Sequence, residues 1–428
     1  MIKRLFFGLL ALSMASPLLA QSGTSSPYSQ YGLGVLTDQS QGFSRGMNGV
    51  GLGLRKGNIV NTLNPASYSA VDSLSMIFDM GLSGKLTNYK EGAVSQNITK
   101  ADFEYVAASF RLMPNVGVSF GMLPLTNVGY EYSTSTYLNE SNTVVLENYS
   151  GNGGFHQAYI GAGWRVLKPL SIGFNAAYLW GSYKRSVTTA SSESALRTLS
   201  KSYEASVSSY NLQVGLQWEQ RLTKSDMVTL GATWGIGHKL GADPSCSILT
   251  SDAQTGVSDT TKLIIANGLK LPTSLGVGLS YQHADKLTAA ADFTMQKWGA
   301  IDFPHYNAAK GDYSLQPGLL KDRYVVNAGV DYVPGAMSRN FLKRVHYRCG
   351  VGYATPYYKI DGADGPKETS ISAGFGIPLQ NSYNNRSVLN ISAQWARTSA
   401  TDLITENVFR INIGLTFNER WFAKWKID

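Results

Sequence analysis

The chain has 428 residues, with 37 Lys+Arg against 29 Asp+Glu for a formal charge of +8, and only 15% charged residues beside 44 Gly and 24 Tyr. That length could hold two or three ordinary domains, yet no linker-like stretch divides it, so one large architecture fits better. The mild positive excess is scattered through turns and loops rather than gathered in a stripe with stacking aromatics, which argues against a nucleic-acid partner. A mean hydropathy of -0.12 suits neither a soluble enzyme nor a helical membrane protein, but does suit strands that alternate lipid-facing and inward polar residues.

Taken in order, residues 1–20 read as a secretory signal peptide. Lys3 and Arg4 supply the charged start, Leu5 to Leu19 the apolar core, and Ala20-Gln21 the cleavage junction. No later stretch approaches the roughly 20 apolar residues of a membrane-spanning helix, so an integral membrane protein would cross as strands. Residues 21–72 form a second unit, rich in turn formers, with six glycines between Gly42 and Gly57 and the sequence Asn64-Pro65-Ala66 near its end. We expect a compact plug here. A dinucleotide-binding loop is excluded, because Asn64-Pro65 stands where the helix of that motif should run.

From Leu74 the pattern becomes alternating strands, about fourteen in number, and the expected fold is an all-β transmembrane antiparallel barrel over residues 73–420. Met76, Phe78, Met80 and Leu82 open the series; Ile172, Phe174, Ala176 and Tyr178 lie midway; Phe409, Ile411, Ile413, Leu415 and Phe417 close it. An even count is the rule for single-chain bacterial barrels. Aromatic residues gather at strand ends, among them Trp180, Trp218, Tyr281, Tyr324, Tyr332 and Tyr353, as interfacial girdles require.

The connections also alternate. Brief turns are expected at 113–115, 167–169, 222–225, 282–285 and 380–385, and long loops at about 130–154, 185–201, 239–270 and 299–321; the connection at 333–344 is longer than this rule predicts. Short periplasmic turns with long external loops would put both termini in the periplasm, including a short basic tail over residues 421–428.

No catalytic constellation emerges. The five histidines are dispersed, Cys246 and Cys349 are too far apart to suggest a metal site and leave their pairing open, and no cofactor or metal is expected. Asp79, Arg165, Asp292, Asp331, Arg348 and Arg410 fall on the inward phase of their strands, where isolated charge is unfavourable unless paired or wetted. They either form a lumen network that seats the plug or line water. In the third strand Pro124 cannot donate to a ladder, and Gly121 and Gly129 flank it, so the strand should bulge or kink there. It marks either a strand end near the rim or a lateral opening.

Signal peptide, glycine-rich plug ending in Asn64-Pro65-Ala66, about fourteen strands and an interrupted third strand together resemble the FadL family of outer-membrane transporters for hydrophobic compounds, TodX-type channels included. The resemblance covers the mature chain. It implies a monomer in the outer membrane of a Gram-negative-type bacterium, taking up a hydrophobic small molecule without energy coupling and releasing it sideways into outer-membrane lipid. Asn64, Pro65 and Ala66 would then belong to the hatch, and Pro124 and Gly129 to a lateral gate. The alternative is a barrel of the same fold acting as a structural or docking component of a secretion or surface-assembly system.

Overall fold

Fourteen antiparallel strands close on themselves in the computed structural model, which describes residues 23–138, 143–192, 197–252, 254–379 and 387–419. The expected signal peptide, the brief turn expected at 380–385 and the expected basic tail lie outside the described residues. In chain order the wall strands are β1 (Met76–Glu91), β2 (Val94–Met113), β3 (Val116–Leu138), β4 (Thr143–Arg165), β5 (Leu170–Ser191), β6 (Thr198–Arg221) and β7 (Asp226–Gly235). They are followed by β8 (Ser274–His283), β9 (Leu287–Gln296), β10 (Arg323–Tyr332), β11 (His346–Ala354), β12 (Lys367–Leu379), β13 (Ser387–Ser399) and β14 (Thr405–Glu419). Each strand pairs with its sequence neighbours, and β1 pairs with β14 from Met76↔Glu419 to Lys90↔Thr405, which closes the barrel.

The alternation decides which face meets lipid. Outward residues are apolar and open, with Ile160 at 61%, Val277 at 55% and Ile413 at 51% exposure, while inward Ser119, Gln217 and Thr416 are at 2% or less. A soluble sandwich would reverse that order, burying the apolar phase. The outer face is therefore the lipid face. Cys349 lies on it, exposed, and Cys246 is buried elsewhere; both are free thiols.

Strand length divides the wall into two parts. β7 to β10 have 10 residues each, close to the roughly 9–11 that cross a bilayer. By contrast, β3 to β6 have between 22 and 24, a contour of about 75 Å at roughly 3.3 Å per residue. The surplus rises beyond the barrel at the end opposite the short turns. There the strands Ser245–Ser251 and Ser258–Ile264 form a hairpin whose first strand pairs with β6, from Ser245↔Glu204 to Ser251↔Thr198, and widens the raised sheet.

This corrects the expected long loops at 130–154 and 185–201. The strands continue to Leu138 and from Thr143, and to Ser191 and from Thr198. Beyond the lipid both faces meet water, so the chain keeps its backbone ladder while the apolar alternation that marks a wall strand disappears. Likewise 239–270 contains the hairpin just described, and 299–321 contains the hairpin Phe303–Asn307 with Asp312–Gln316.

Candidate functional site

Residues 23–72 run down the inside of the barrel. Tyr28 donates to the carbonyl of Ile404 (2.5 Å) at the raised end, whereas the short 3-10 helix Pro65–Ala70 packs against β3 to β6 near the short turns. Gly23, the first described residue, lies at the raised end, its carbonyl accepting from Lys85 Nζ (3.2 Å).

Asn64 is the pivot of the lower half. Its side-chain oxygen caps the helix by accepting from the Ala66 amide (3.1 Å), which satisfies a helix-start donor. Its Nδ2 donates to the carbonyls of Leu52 (2.8 Å) and Leu216 on β6 (3.2 Å). Pro65 follows at the first helical position, where its missing N–H costs nothing. The turn can reach the wall only because the wall has no side chains there: a Cβ at Gly215 would stand 2.2 Å from Asn64 Oδ1, and one at Gly173 would stand 2.3 Å from the Pro65 carbonyl carbon. The Asn-Pro-Ala sequence and the inward glycines of β5 and β6 are one fitting.

Three of the inward charges share one network, since Arg348 Nη1 donates to Asn390 (2.6 Å), Asn390 Nδ2 to Thr416 (3.0 Å) and the Thr416 hydroxyl to Asp79 (3.1 Å), while Asp292, Arg165 and Arg410 stand apart as separate stations. Asp331 accepts from Arg348 Nε (2.9 Å), pairs with Lys56 Nζ of the segment (3.2 Å) and contacts His346 Nδ1 (3.0 Å). Phe43 completes this station, with Arg348 over its ring at 4.2 Å and Lys56 at 4.6 Å. Asp292 Oδ2 accepts from the amides of Gly51 (2.6 Å) and Leu52 (2.9 Å). Glu219 holds Arg165 (2.8 Å) on the wall and Arg55 (3.2 Å) on the segment. Asp79 accepts from Tyr105 (2.8 Å), whose own oxygen accepts from the Gly42 amide (2.6 Å). Arg410 lines open space, and its Nε has no partner among the described residues. Each station except Arg410 ties the segment to the wall, so a buried charge on one side meets its partner on the other.

One station was hidden from the sequence. Glu104, buried at 3%, pairs with Arg45 of the segment at 3.1 Å. Strict alternation from Val106 would aim Glu104 at lipid. A bulge in β2, where Gly81↔Tyr105 is followed by Leu82↔Phe103, flips it inward. Arg45, Arg55 and Lys56, three cations in an otherwise apolar, glycine-rich run, were the available signal.

The wall is discontinuous where the third strand was expected to deviate. β2 and β3 pair only from Met113↔Val116 to Val106↔Met122. Above that level β2 stays with β1 and β3 stays with β4, and their facing edges part. β3 does not end at Pro124 but continues to Leu138, with a register shift between Pro124 and Thr126 against β4. The segment fills the lower part of the gap. Val35–Leu36 pair with Asn127 and Thr126 as an added antiparallel strand. Thr37 and Gln39 side chains donate to the Pro124 carbonyl (2.6 and 2.8 Å), and the Ser29 hydroxyl both donates to the Gly129 carbonyl and accepts from its amide (3.2 and 3.0 Å).

At the raised end an apolar cluster of Tyr28, Leu33, Phe155, Leu179, Trp298 and Tyr357 packs the segment's start against strands and loops. A cavity of about 400 Å³ lies on the β1, β10 and β14 side of the segment. Lys85, Lys100, Glu104, Arg323, Glu406 and Arg410 are among the residues that line it.

No curated protein matches the chain. Among solved structures it is similar to the CymD monoaromatic hydrocarbon channel, at 16% identity over 90% of this chain and 98% of that one, with a TM-score of 0.59. Similar too are the Ralstonia pickettii toluene transporter TbuX, at 16% identity over 89% and 98% with a TM-score of 0.61, and a Pseudomonas aeruginosa FadL homologue, at 11% identity over 90% and 99% with a TM-score of 0.60. At these identities the likeness is one of fold, and the resemblance to FadL-type barrels holds at that level. A family model described as BamG matches residues 1–428, and the chain belongs to that family.

Proposed function

We propose that this protein is a plugged outer-membrane barrel that serves as a docking component of a secretion or surface-assembly system. The observation that carries this reading is the fixing of the segment to the wall. The cavity left beside it is lined by charges that are partly paired, as Lys85 is with Asp102 (2.9 Å), and by apolar and aromatic side chains such as Leu125, Tyr353 and Tyr358. Fixing the segment at five stations and spanning the lower wall gap with Val35–Leu36 suits a barrel that stays shut. With the short turns on the periplasmic side, as the barrel rule has it, Glu419 lies toward the periplasm and the raised sheet of β3 to β6 faces outward. This role needs no cofactor, metal or covalent chemistry, and the barrel inserts in lipid as a monomer.

The second reading is passive uptake of a hydrophobic small molecule with lateral release, and the parting of β2 from β3 above Met122 favours it. Asn64, Pro65 and Ala66 would then form the moving hatch, and Pro124 and Gly129 the gate. Liposomes carrying the purified full-length protein decide between the two, with decanoate and toluene as probes. The docking reading expects no flux above protein-free liposomes. Saturable flux of either probe, abolished by Pro124→Val with Gly129→Val, would overturn it in favour of the channel.

A further inference from the structure

The raised sheet, formed by the outer parts of β3 to β6 and the hairpin 245–264, has two outer edges. An exposed edge strand offers unpaired N–H and C=O groups to any other chain, and proteins ordinarily blunt such edges with charge or proline. One edge follows the rule: Ser258–Ile264 pairs only with Ser245–Ser251 among the described residues, lies near the strand Asp312–Gln316, and carries Asp259 and Lys262. The other breaks it. From Tyr132 to Leu138, β3 reads Tyr-Ser-Thr-Ser-Thr-Tyr-Leu, with no charge and no proline, and Ser133 to Tyr137 are exposed. Among the described residues it pairs with β4 alone at this height, because β2 has parted from it.

We infer that the outer edge of β3 over Ser133–Tyr137 is a docking site for an extended, uncharged segment of a partner protein, which adds to the sheet as an antiparallel strand. The same edge already accepts a strand in this way. Val35–Leu36 pair antiparallel with Thr126 and Asn127, Ser29 bonds Gly129, and Tyr132 donates to Gln30 (3.2 Å), so the chain covers the edge up to Tyr132 and stops. A partner strand would continue that ladder outward. Its side chains would face Ser133, Thr134, Ser135 and Thr136, whose hydroxyls favour Thr or Ser opposite them, and Tyr137, which favours an aromatic or β-branched neighbour. A charge there would lie between two strands with nothing to pair it. A second copy does not fit: its β3 runs outward like this one, and its inward-running edge Ser258–Ile264 would bring Asp259 and Lys262 against uncharged residues. This is strand addition to an open sheet edge, in which backbone bonds give affinity and alternate side chains give selectivity.

The inference rests on the docking reading and names its surface. Amide hydrogen exchange of the full-length protein tests it, comparing outer-membrane vesicles that keep its natural partners with the protein purified alone. Strand addition predicts that alternate amides between Ser133 and Tyr137, those pointing away from β4, exchange at least tenfold more slowly in the vesicles, with no change at Thr260 on the charged edge. Thr134→Lys with Thr136→Lys should abolish that protection while the barrel keeps its heat-modifiable mobility. Equal exchange in both preparations, protection without alternation, or protection that survives the two lysines would each overturn the inference. Should it fail while the liposomes remain impermeable, the docking role stands and this edge is not its surface.

Discussion

A single carboxylate oxygen, Asp292 Oδ2, receives two backbone amides of the segment, and removing it would leave both without a partner inside the barrel. Each orphaned buried donor costs about 1–3 kcal/mol. Asp292→Ala should therefore raise the rate of tryptic cleavage at Arg55 and Lys56 by about tenfold or more, since each 1.4 kcal/mol is a factor of ten. The wall should keep its heat-modifiable mobility, because Asp292 faces the segment and not another strand. Asp331 should behave more severely. Among the described residues it is the one carboxylate in direct ion pairs with Lys56 and Arg348, and Asp331→Ala strands two buried cations at a cost of about 3–5 kcal/mol. An unchanged proteolytic rate in either variant would show that these contacts do not hold the segment. The two thiols give an independent reading of burial. Burial pushes the Cys246 thiol up, while Cys349 is exposed on the lipid face. A water-soluble maleimide should label neither thiol in the folded protein, Cys246 being buried and Cys349 facing lipid, and both after heat unfolding.

Between elements, the tightest fit is the Asn64-Pro65 turn against bare wall. Gly215→Val should leave β6 intact, since a branched residue suits a strand, yet its side chain would occupy the place of Asn64 Oδ1 and Pro65 Cδ. We expect the segment to unseat while the barrel persists, seen as a protease-sensitive 23–72 within an unchanged heat-modifiable band. Loss of the folded band would instead make the glycine a requirement of the wall. Much of this level was legible in the sequence. Wall strands announced themselves wherever one face meets lipid, and Pro124 announced a deviation. What stayed hidden has physical causes. The outer halves of β3 to β6 lose their apolar phase where lipid ends, so paired strands read as loops. Glu104 changes face through a bulge that leaves no mark in an alternation count. The pairing of Arg45 with Glu104, or of Arg55 with Glu219, joins residues whose nearness exists only after closure.

For the whole molecule, closure of β1 on β14 removes the edges of the wall, and the raised sheet then brings two of them back on one side. The fold was legible because lipid imposes a period on every strand. The use of the lumen was not, because it depends on which polar residues the segment leaves uncovered. That use turns on whether the segment moves. Its most direct test is a disulfide between Leu36→Cys and Thr126→Cys, directly opposed residues whose spacing suits the bond, in a protein with Cys246 and Cys349 replaced by Ser. Liposomes carrying this variant should pass no decanoate or toluene whether the bond is oxidised or reduced. Flux in the reduced form that oxidation abolishes would contradict a permanently plugged barrel, and would mean that the segment must leave the wall for the protein to work.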